Sequence, residues 1–188
     1  MRSLSRTMNH MIQIRLAKMN EVPQLELLIA ASVRSLSADY YSSQQIESAL
    51  LHVFGIDTQL ILDGTYFVAE IENKIVGCGG WSKRKTLFGG DQAKLNEDNL
   101  LDPKTDPARI RAFFIHSDFA RRGIGTMIIN QCENAAKMEG FSQLELGATL
   151  SGVPLYEASG YHVIEEFTHQ LKDGVDFPLV RMGKRILQ

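Results

Sequence analysis

Cysteine is scarce in this chain, at two residues among 188, and neither Cys78 nor Cys132 has a partner at CxxC spacing. Both fall in stretches that read as strand or helix interior, so no disulfide framework is expected and a reducing cytoplasm is the implied setting. The histidines at 10, 52, 116, 162 and 169 lack the close pairing of a metal-ligand motif, so no metal is expected either. No run approaches the roughly 18 apolar residues of a membrane-spanning helix. The opening MRSLSRTMNHMIQIRLA carries Arg2 and Arg6 without the apolar core of a secretory signal. Neither membrane insertion nor secretion is therefore expected. Residues 1–11 read as a disordered leader, with Met8 and Met11 as alternative starts, and 12–188 as a single domain. An excess of one charge is missing too: 20 basic residues stand against 22 acidic ones, a formal net charge of -2. That balance gives no broad basic face for nucleic acid, and any anion site must be local.

What is present is apolar material arranged in two periods. Hydrophobic residues make up 44% of the chain and charged ones 22%, enough to build one sizeable core. IQIRLA, from Ile12, alternates as a half-buried strand does, and KMNEVPQLELLIAASVRSL turns helical, with Asn20 as candidate N-cap and Pro23 in the first turn. SSQQIESALLHV reads as a second helix capped by Ser42 or Ser43. TYFVAEIEN and KIVGCGGWSKR form a hairpin turning at Asn73. A polar stretch from Lys85 to Ala108 is long enough to be a functional surface loop. RIRAFFIH is then a buried strand, and Arg122 to Met138 a helix with Ile124, Met127, Ile128, Cys132, Ala135 and Ala136 on one stripe, closed by Gly140. SQLELGA, a short helix GVPLYEAS, and the strands YHVIEEFTHQ and FPLVRMGKRI complete the chain. The expected fold class is α/β, a mixed sheet of about seven strands with flanking helices.

One turn asks for a chemical explanation. FFIHSDFARRGIGTMII leaves an apolar strand, places two arginines and two glycines in a turn, and enters an apolar helix. The first N–H groups of a helix have no partner within it, and its dipole adds partial positive charge there. Gly123 and Gly125 let the backbone approach a ligand without a Cβ in the way, at about 1 kcal/mol of helix stability each. Arg121 and Arg122 add fixed positive charge. The ligand implied is a phosphate or pyrophosphate, although a merely capping and solvated helix start would look similar. GxxxxGK[ST] fails for want of a lysine and hydroxyl after Gly125, and GxGxxG fails because Ile128 fills the third glycine position.

ARRGIG resembles the pyrophosphate loop Q/R-x-x-G-x-G/A of the GNAT superfamily of acyl-CoA-dependent N-acyltransferases, with Gly123 and Gly125 in register and Ala120 where Gln or Arg is usual. PLYEASGYHV looks like the later motif of that family, a helix tyrosine followed by Gly and an aromatic, here Tyr156, Gly160 and Tyr161. The resemblance covers about 12 to 188, and the order of elements agrees with the family fold. It implies an N-acetyltransferase that uses acetyl-CoA as cosubstrate, with no metal, and passes the acetyl group to a small-molecule or peptide amine. A homodimer is left open, and a non-catalytic acyl-CoA sensor or regulatory domain is the alternative. By the same resemblance, Phe114, Ile115 and His116 meet the pantetheine arm through their backbone. The amides of Arg121, Arg122, Gly123, Ile124, Gly125 and Thr126 cradle the pyrophosphate, and Tyr156 protonates the departing thiolate. A phenol near pKa 10 can serve a thiolate near 8.5 only if the geometry brings them together; a core tyrosine is the competing reading.

No general base stands out among His116, Glu70, Glu145 and a water chain. His116 reads as a strand end. Thr149 stands where many relatives carry Asn. Trp81 is core or a wall of the acceptor pocket, and SKRK, Ser82 to Lys85, is a solvated strand end or a contact for the 3′-phosphate of CoA. Asp91, Glu97, Asp98, Asp102 and Asp106 in the long loop would favour a cationic amine if they faced the pocket, and serve solubility otherwise.

Overall fold

The computed structural model describes residues 11–94 and 98–186, so the leader, apart from Met11, lies outside the described residues. Seven strands form one sheet in the order β1-β2-β3-β4-β5-β7-β6. In chain order the elements are β1 (Gln13–Leu16), α1 (Val22–Leu36), α2 (Ser43–His52), α3 (Thr58–Leu62), β2 (Tyr66–Ile71), β3 (Lys74–Ser82) and β4 (Ala108–Ile115). They continue with α4 (Ile124–Met138), β5 (Gln143–Ala148), α5 (Val153–Ala158), β6 (His162–Gln170) and β7 (Asp176–Arg185). All neighbouring strands are antiparallel except β4 and β5.

Local signals set most of these elements. Ser42 caps α2 through a reciprocal box: its hydroxyl accepts from the Gln45 N–H at 3.2 Å, and Gln45 Oε1 accepts from the Ser42 N–H at 3.0 Å. Glu72 and Asn73 both adopt positive φ, 48° and 64°, as a tight primed hairpin turn needs. Asn20 does not cap α1. A one-turn 3-10 helix, Met19–Glu21, precedes it, so the cap falls on Glu21 with Pro23 in the first turn. The sequence reading lacked α3, whose five residues give too little periodicity; Asp57 starts it by accepting from the Gln59 N–H at 3.1 Å.

Alternation along the strands sorts side chains between two cores. Phe67 and Ala69 of β2 face α4 with Ile124, Ile128, Cys132 and Trp81, while Tyr66 and Val68 face α1 and α2 with Leu25, Ile29 and Ile46. Each fully buried Leu or Ile contributes about 1.5–3 kcal/mol of transfer free energy, which fixes the register of the sheet against its helices. On α4 the inward stripe includes Ile129, fully buried, whereas Met127 is 38% exposed. Trp81 is buried core, its ring edge-on to Phe141 with centroids 5.9 Å apart.

The long loop is organised by its own acids. Asp98 accepts from the Thr86 amide and hydroxyl at 2.9 and 2.7 Å, and Asp91 accepts from the Thr58 N–H. Asp106 and Asp102 accept loop amides from Asp102 and Lys104. These carboxylates tie down backbone, and Glu97 lies outside the described residues. Two residues of SKRK are also engaged: Lys83 pairs with Glu139, and Arg84 with Asp63 at 2.7 Å.

Candidate active site

Strands β4 and β5 pair only at Ala108 with Leu144 and Arg109 with Glu145, so the β5-facing edge of β4 is open from Ile110 onward. The cause lies in β4. Its register against β3 shifts between Cys78 and Gly80, where Ala112, at φ +55°, and Phe113 together oppose the single residue Gly79 as a bulge. An alanine in that conformation is strained unless its surroundings hold it. Tyr66, fully buried, reaches across β3 and donates its hydroxyl to the Ala112 carbonyl at 2.9 Å. Gly80 makes the crossing possible, because a Cβ there would lie 2.7 Å from Tyr66 Cδ2 and 2.6 Å from the Thr65 carbonyl.

A cavity of about 520 Å³ occupies the gap beside the open edge of β4. That volume suits a cofactor-sized ligand. Its floor is Phe113, Phe114 and Ile115, and a wall is supplied by Ser32, Val33 and Leu36 of α1 together with Ser37 and Tyr40 just beyond its end. The start of α4 closes one end. Gly123 is its N-cap at φ +80°, a left-handed conformation that favours glycine, and Arg121 precedes it at φ +64°. The first helical bond runs from the Met127 N–H to the Gly123 carbonyl at 3.0 Å, which leaves the amides of Ile124, Gly125 and Thr126 to the cavity they line. No acidic residue occupies that first turn, so nothing local cancels the positive end of the helix dipole. Gly125 has a packing reason for being glycine: a Cβ there would lie 2.8 Å from Leu155 Cδ2, and Leu155 also lines the cavity.

Tyr156 projects from α5 to the same cavity, 8% exposed, with its ring edge-on to Phe113 at 6.2 Å and to Tyr161 at 5.8 Å. Burial pushes its phenol well above the ordinary value, so the hydroxyl keeps its proton across the physiological range. A second, smaller cavity of about 60 Å³ lies on the other side of the bulge. Both cavities are lined by Phe113, Phe114, Thr149 and Tyr156. The site is thus two compartments with a common wall that includes Tyr156.

A family model for Acetyltransferase (GNAT) family matches residues 30–161. The chain belongs to the GNAT family. Solved structures of GNAT acetyltransferases share its fold. A GCN5-related N-acetyltransferase from Rhodopseudomonas palustris aligns with TM-score 0.69 and 20% identity over 93% of this chain and 95% of its own. The PaiA N-acetyltransferase from Thermoplasma acidophilum, in complex with coenzyme A, aligns with TM-score 0.62 and 16% identity over 94% of this chain and 99% of its own. YncA from Salmonella typhimurium, a putative acetyltransferase with its cofactor acetyl-CoA, aligns with TM-score 0.62 and 13% identity over 94% and 95%. No curated protein sequence matches the chain.

Within this GNAT fold, Phe114, Ile115, Arg121, Gly123, Ile124, Gly125, Thr126 and Tyr156 all line the larger cavity. His116 and Arg122 lie off its lining. His116 Nδ1 accepts from the Asp118 N–H at 3.2 Å, capping a one-turn helix, and the Arg122 guanidinium sits 5.1 Å above the Phe119 ring. Neither carboxylate weighed as a base lines either cavity: Glu70 is bound by Arg15, and Glu145 by Arg109 and Arg181. Thr149 Oγ1 accepts from the Gly152 N–H at 3.1 Å and so shapes the turn into α5. Ser32 escaped the sequence reading. It accepts from the Ile115 N–H at 3.2 Å, and its only signal was a small polar residue, 4% exposed, within the apolar stripe of α1.

Proposed function

We propose that the protein is an N-acetyltransferase that moves the acetyl group of acetyl-CoA to a primary amine by direct attack on the thioester. The common wall of a cofactor-sized cavity and a smaller second one, with Tyr156 in it, carries this reading. Acetyl-CoA lies along the open edge of β4, its pantetheine amides against the backbone of Phe114 and Ile115, while the His116 N–H and carbonyl are taken by Val76 and Phe119. Its pyrophosphate rests on the amides from Arg121 to Thr126. The coenzyme A and acetyl-CoA in the Thermoplasma and Salmonella neighbours support such a cosubstrate. Two other neighbours, from Brucella melitensis and Escherichia coli, are ribosomal-protein alanine N-acetyltransferases, in keeping with an amine acceptor.

The amine enters from the smaller cavity, and its lone pair attacks the thioester carbon. As the C–S bond breaks, sulfur takes the proton of the Tyr156 hydroxyl, and the proton on nitrogen leaves through water, which returns a proton to the Tyr156 phenolate. Alignment of the two reactants supplies most of the rate, since holding them in attack geometry replaces a bimolecular encounter. Acetyl-CoA at a hundredfold excess over its Kd should stabilise the fold by about 2.7 kcal/mol, which raises the midpoint by about 5–10 °C for a chain of this size. A thermal-shift titration in which neither acetyl-CoA nor CoA moves the midpoint would rule the reading out.

The loop makes a separate prediction. In Gly125→Val the new side chain must displace Leu155, whose rotation carries it into the cavity both residues line. Overpacking costs about 1–3 kcal/mol, offset in part by the better helix propensity of valine. Acetyl-CoA affinity should fall by more than about tenfold, that is 1.4 kcal/mol, beyond the change expected from folding alone. Calorimetry at a temperature where the variant is fully folded checks this; unchanged affinity would leave Gly125 a packing residue only.

A further inference from the structure

The residue that holds the bulge of β4 lines neither cavity. Tyr66 pairs with Gly80 across β2 and β3, and Gly80 pairs with Arg111 across β3 and β4, so the three form one row across the sheet. Residues opposite one another in such a row share a face. With no Cβ on Gly80 in its way, the Tyr66 ring crosses the row, and its hydroxyl donates to the carbonyl of Ala112, the next residue of β4, at 2.9 Å. Burial pushes the phenol well above its ordinary value, so the hydroxyl stays a donor throughout the physiological range.

Ala112 is where this bond matters. At φ +55° it is left-handed, a conformation that alanine keeps only where its surroundings over-determine it. The other bulge residue, Phe113, is seated against bare backbone, since a Cβ on Gly79 would lie 2.7 Å from the Phe113 ring. Phe113 and Phe114 line both cavities, and Ile115 lines the larger one. Relaxing Ala112 to an ordinary strand conformation removes the bulge. The residues beyond it then change register against β3, and the open edge moves.

Resting on the acetyltransferase reading for the identity of the ligand, we propose that Tyr66 is a positioning residue for acetyl-CoA: its bond to the Ala112 carbonyl holds β4 in the splayed form that the pantetheine arm requires. Tyr66 acts through the backbone of Ala112. Ordering supplied by the protein need not be supplied by the ligand, so the bond acts by preorganisation. If loss of the hydroxyl leaves about one molecule in ten splayed, affinity falls about tenfold, because apparent affinity scales with the competent fraction.

The test is a double-mutant cycle on the full chain, read by calorimetry with acetyl-CoA at a temperature where every variant is folded. Tyr66→Phe keeps the ring and removes the hydroxyl, and should weaken acetyl-CoA binding by about tenfold. Ala112→Gly removes the cost of the left-handed conformation, so in that background Tyr66→Phe should weaken binding by about threefold or less. A loss of packing alone would give the same factor in both backgrounds. Hydrogen exchange gives a reading without cosubstrate: peptides spanning 108–116 should exchange about tenfold faster in Tyr66→Phe, and those of α4 should not. Equal factors in the two backgrounds, an affinity within about twofold of the unmodified protein for Tyr66→Phe, or unchanged exchange over 108–116 overturns the proposal. A Tyr66→Phe protein that folds only when Ala112→Gly is also present supports it, and failure of both to fold overturns it. Unmodified protein that binds no acetyl-CoA would instead remove the acetyltransferase reading, and exchange over 108–116 then still decides whether Tyr66 holds the bulge.

Discussion

Tyr156→Phe should leave acetyl-CoA affinity within about twofold while lowering kcat by about 10²-fold, the scale of a positioned general acid. The substitution keeps the ring that packs edge-on against Phe113 and Tyr161, so the α5 contacts and the cavity wall survive. Only the hydroxyl is lost. Burial raises the phenol far above pKa 10, which at first sight makes it a poor donor to a thiolate. The same desolvation acts on the sulfur, however. A thiolate forming in a water-poor cavity is more basic than in solution, so proton transfer need not be uphill. A bound acetyl-CoA would thus meet an acid that stays protonated until the C–S bond breaks. Stopped-flow release of CoA alongside equilibrium binding separates the two quantities. Equal kcat in both proteins would return Tyr156 to core packing, and a catalytically silent protein with intact acetyl-CoA binding would favour the sensor.

How far the chain reveals this site depends on whether the signal is local. ARRGIG was legible because both of its causes, an uncapped helix start and a left-handed turn at Gly123, belong to adjacent residues. The hairpin at Asn73 and the Ser42 box are local in the same way. The splay of β4 was not legible. It depends on Ala112 at positive φ, on Tyr66 two strands away, and on the bare Cα of Gly80 between them. No residue of RIRAFFIH advertises a bulge, since alanine is not a residue that favours positive φ. The direction of the acids in the long loop stayed open for a related reason: composition shows charge, while its direction depends on which amides the loop brings near. Arg111 is the extreme case. In sequence it is one polar position in a strand, and in the fold it is a buried cation behind the smaller cavity.

Asp57→Asn should lower stability by about 3–5 kcal/mol, the usual consequence of removing one partner from a buried ion pair. At roughly 2–4 °C per kcal/mol for a chain of this length, the thermal midpoint falls by about 6–20 °C. Asparagine preserves the shape and, with its oxygen toward the Gln59 N–H, retains the start of α3, while its NH2 then faces the Arg111 guanidinium, so the loss combines the charge with one acceptor. What remains is the Arg111 guanidinium, whose burial already works against its charged form, with Lys94 nearby and no shared carboxylate. Arg111 would keep the Thr86 and Gly89 carbonyls, but these are dipoles and cannot replace a unit charge. The effect should also appear in function. Gly89 and Gly90 line the smaller cavity, and the Asp57 to Arg111 pair ties that stretch of loop to β4. KM for the acceptor should therefore rise more than KM for acetyl-CoA. Asp57→Asn combined with Arg111→Met supplies the control, because removing both charges should recover most of the lost stability. A midpoint drop under about 3 °C for the single variant, or a double variant no more stable than the single one, would show that charge pairing is not what holds this loop.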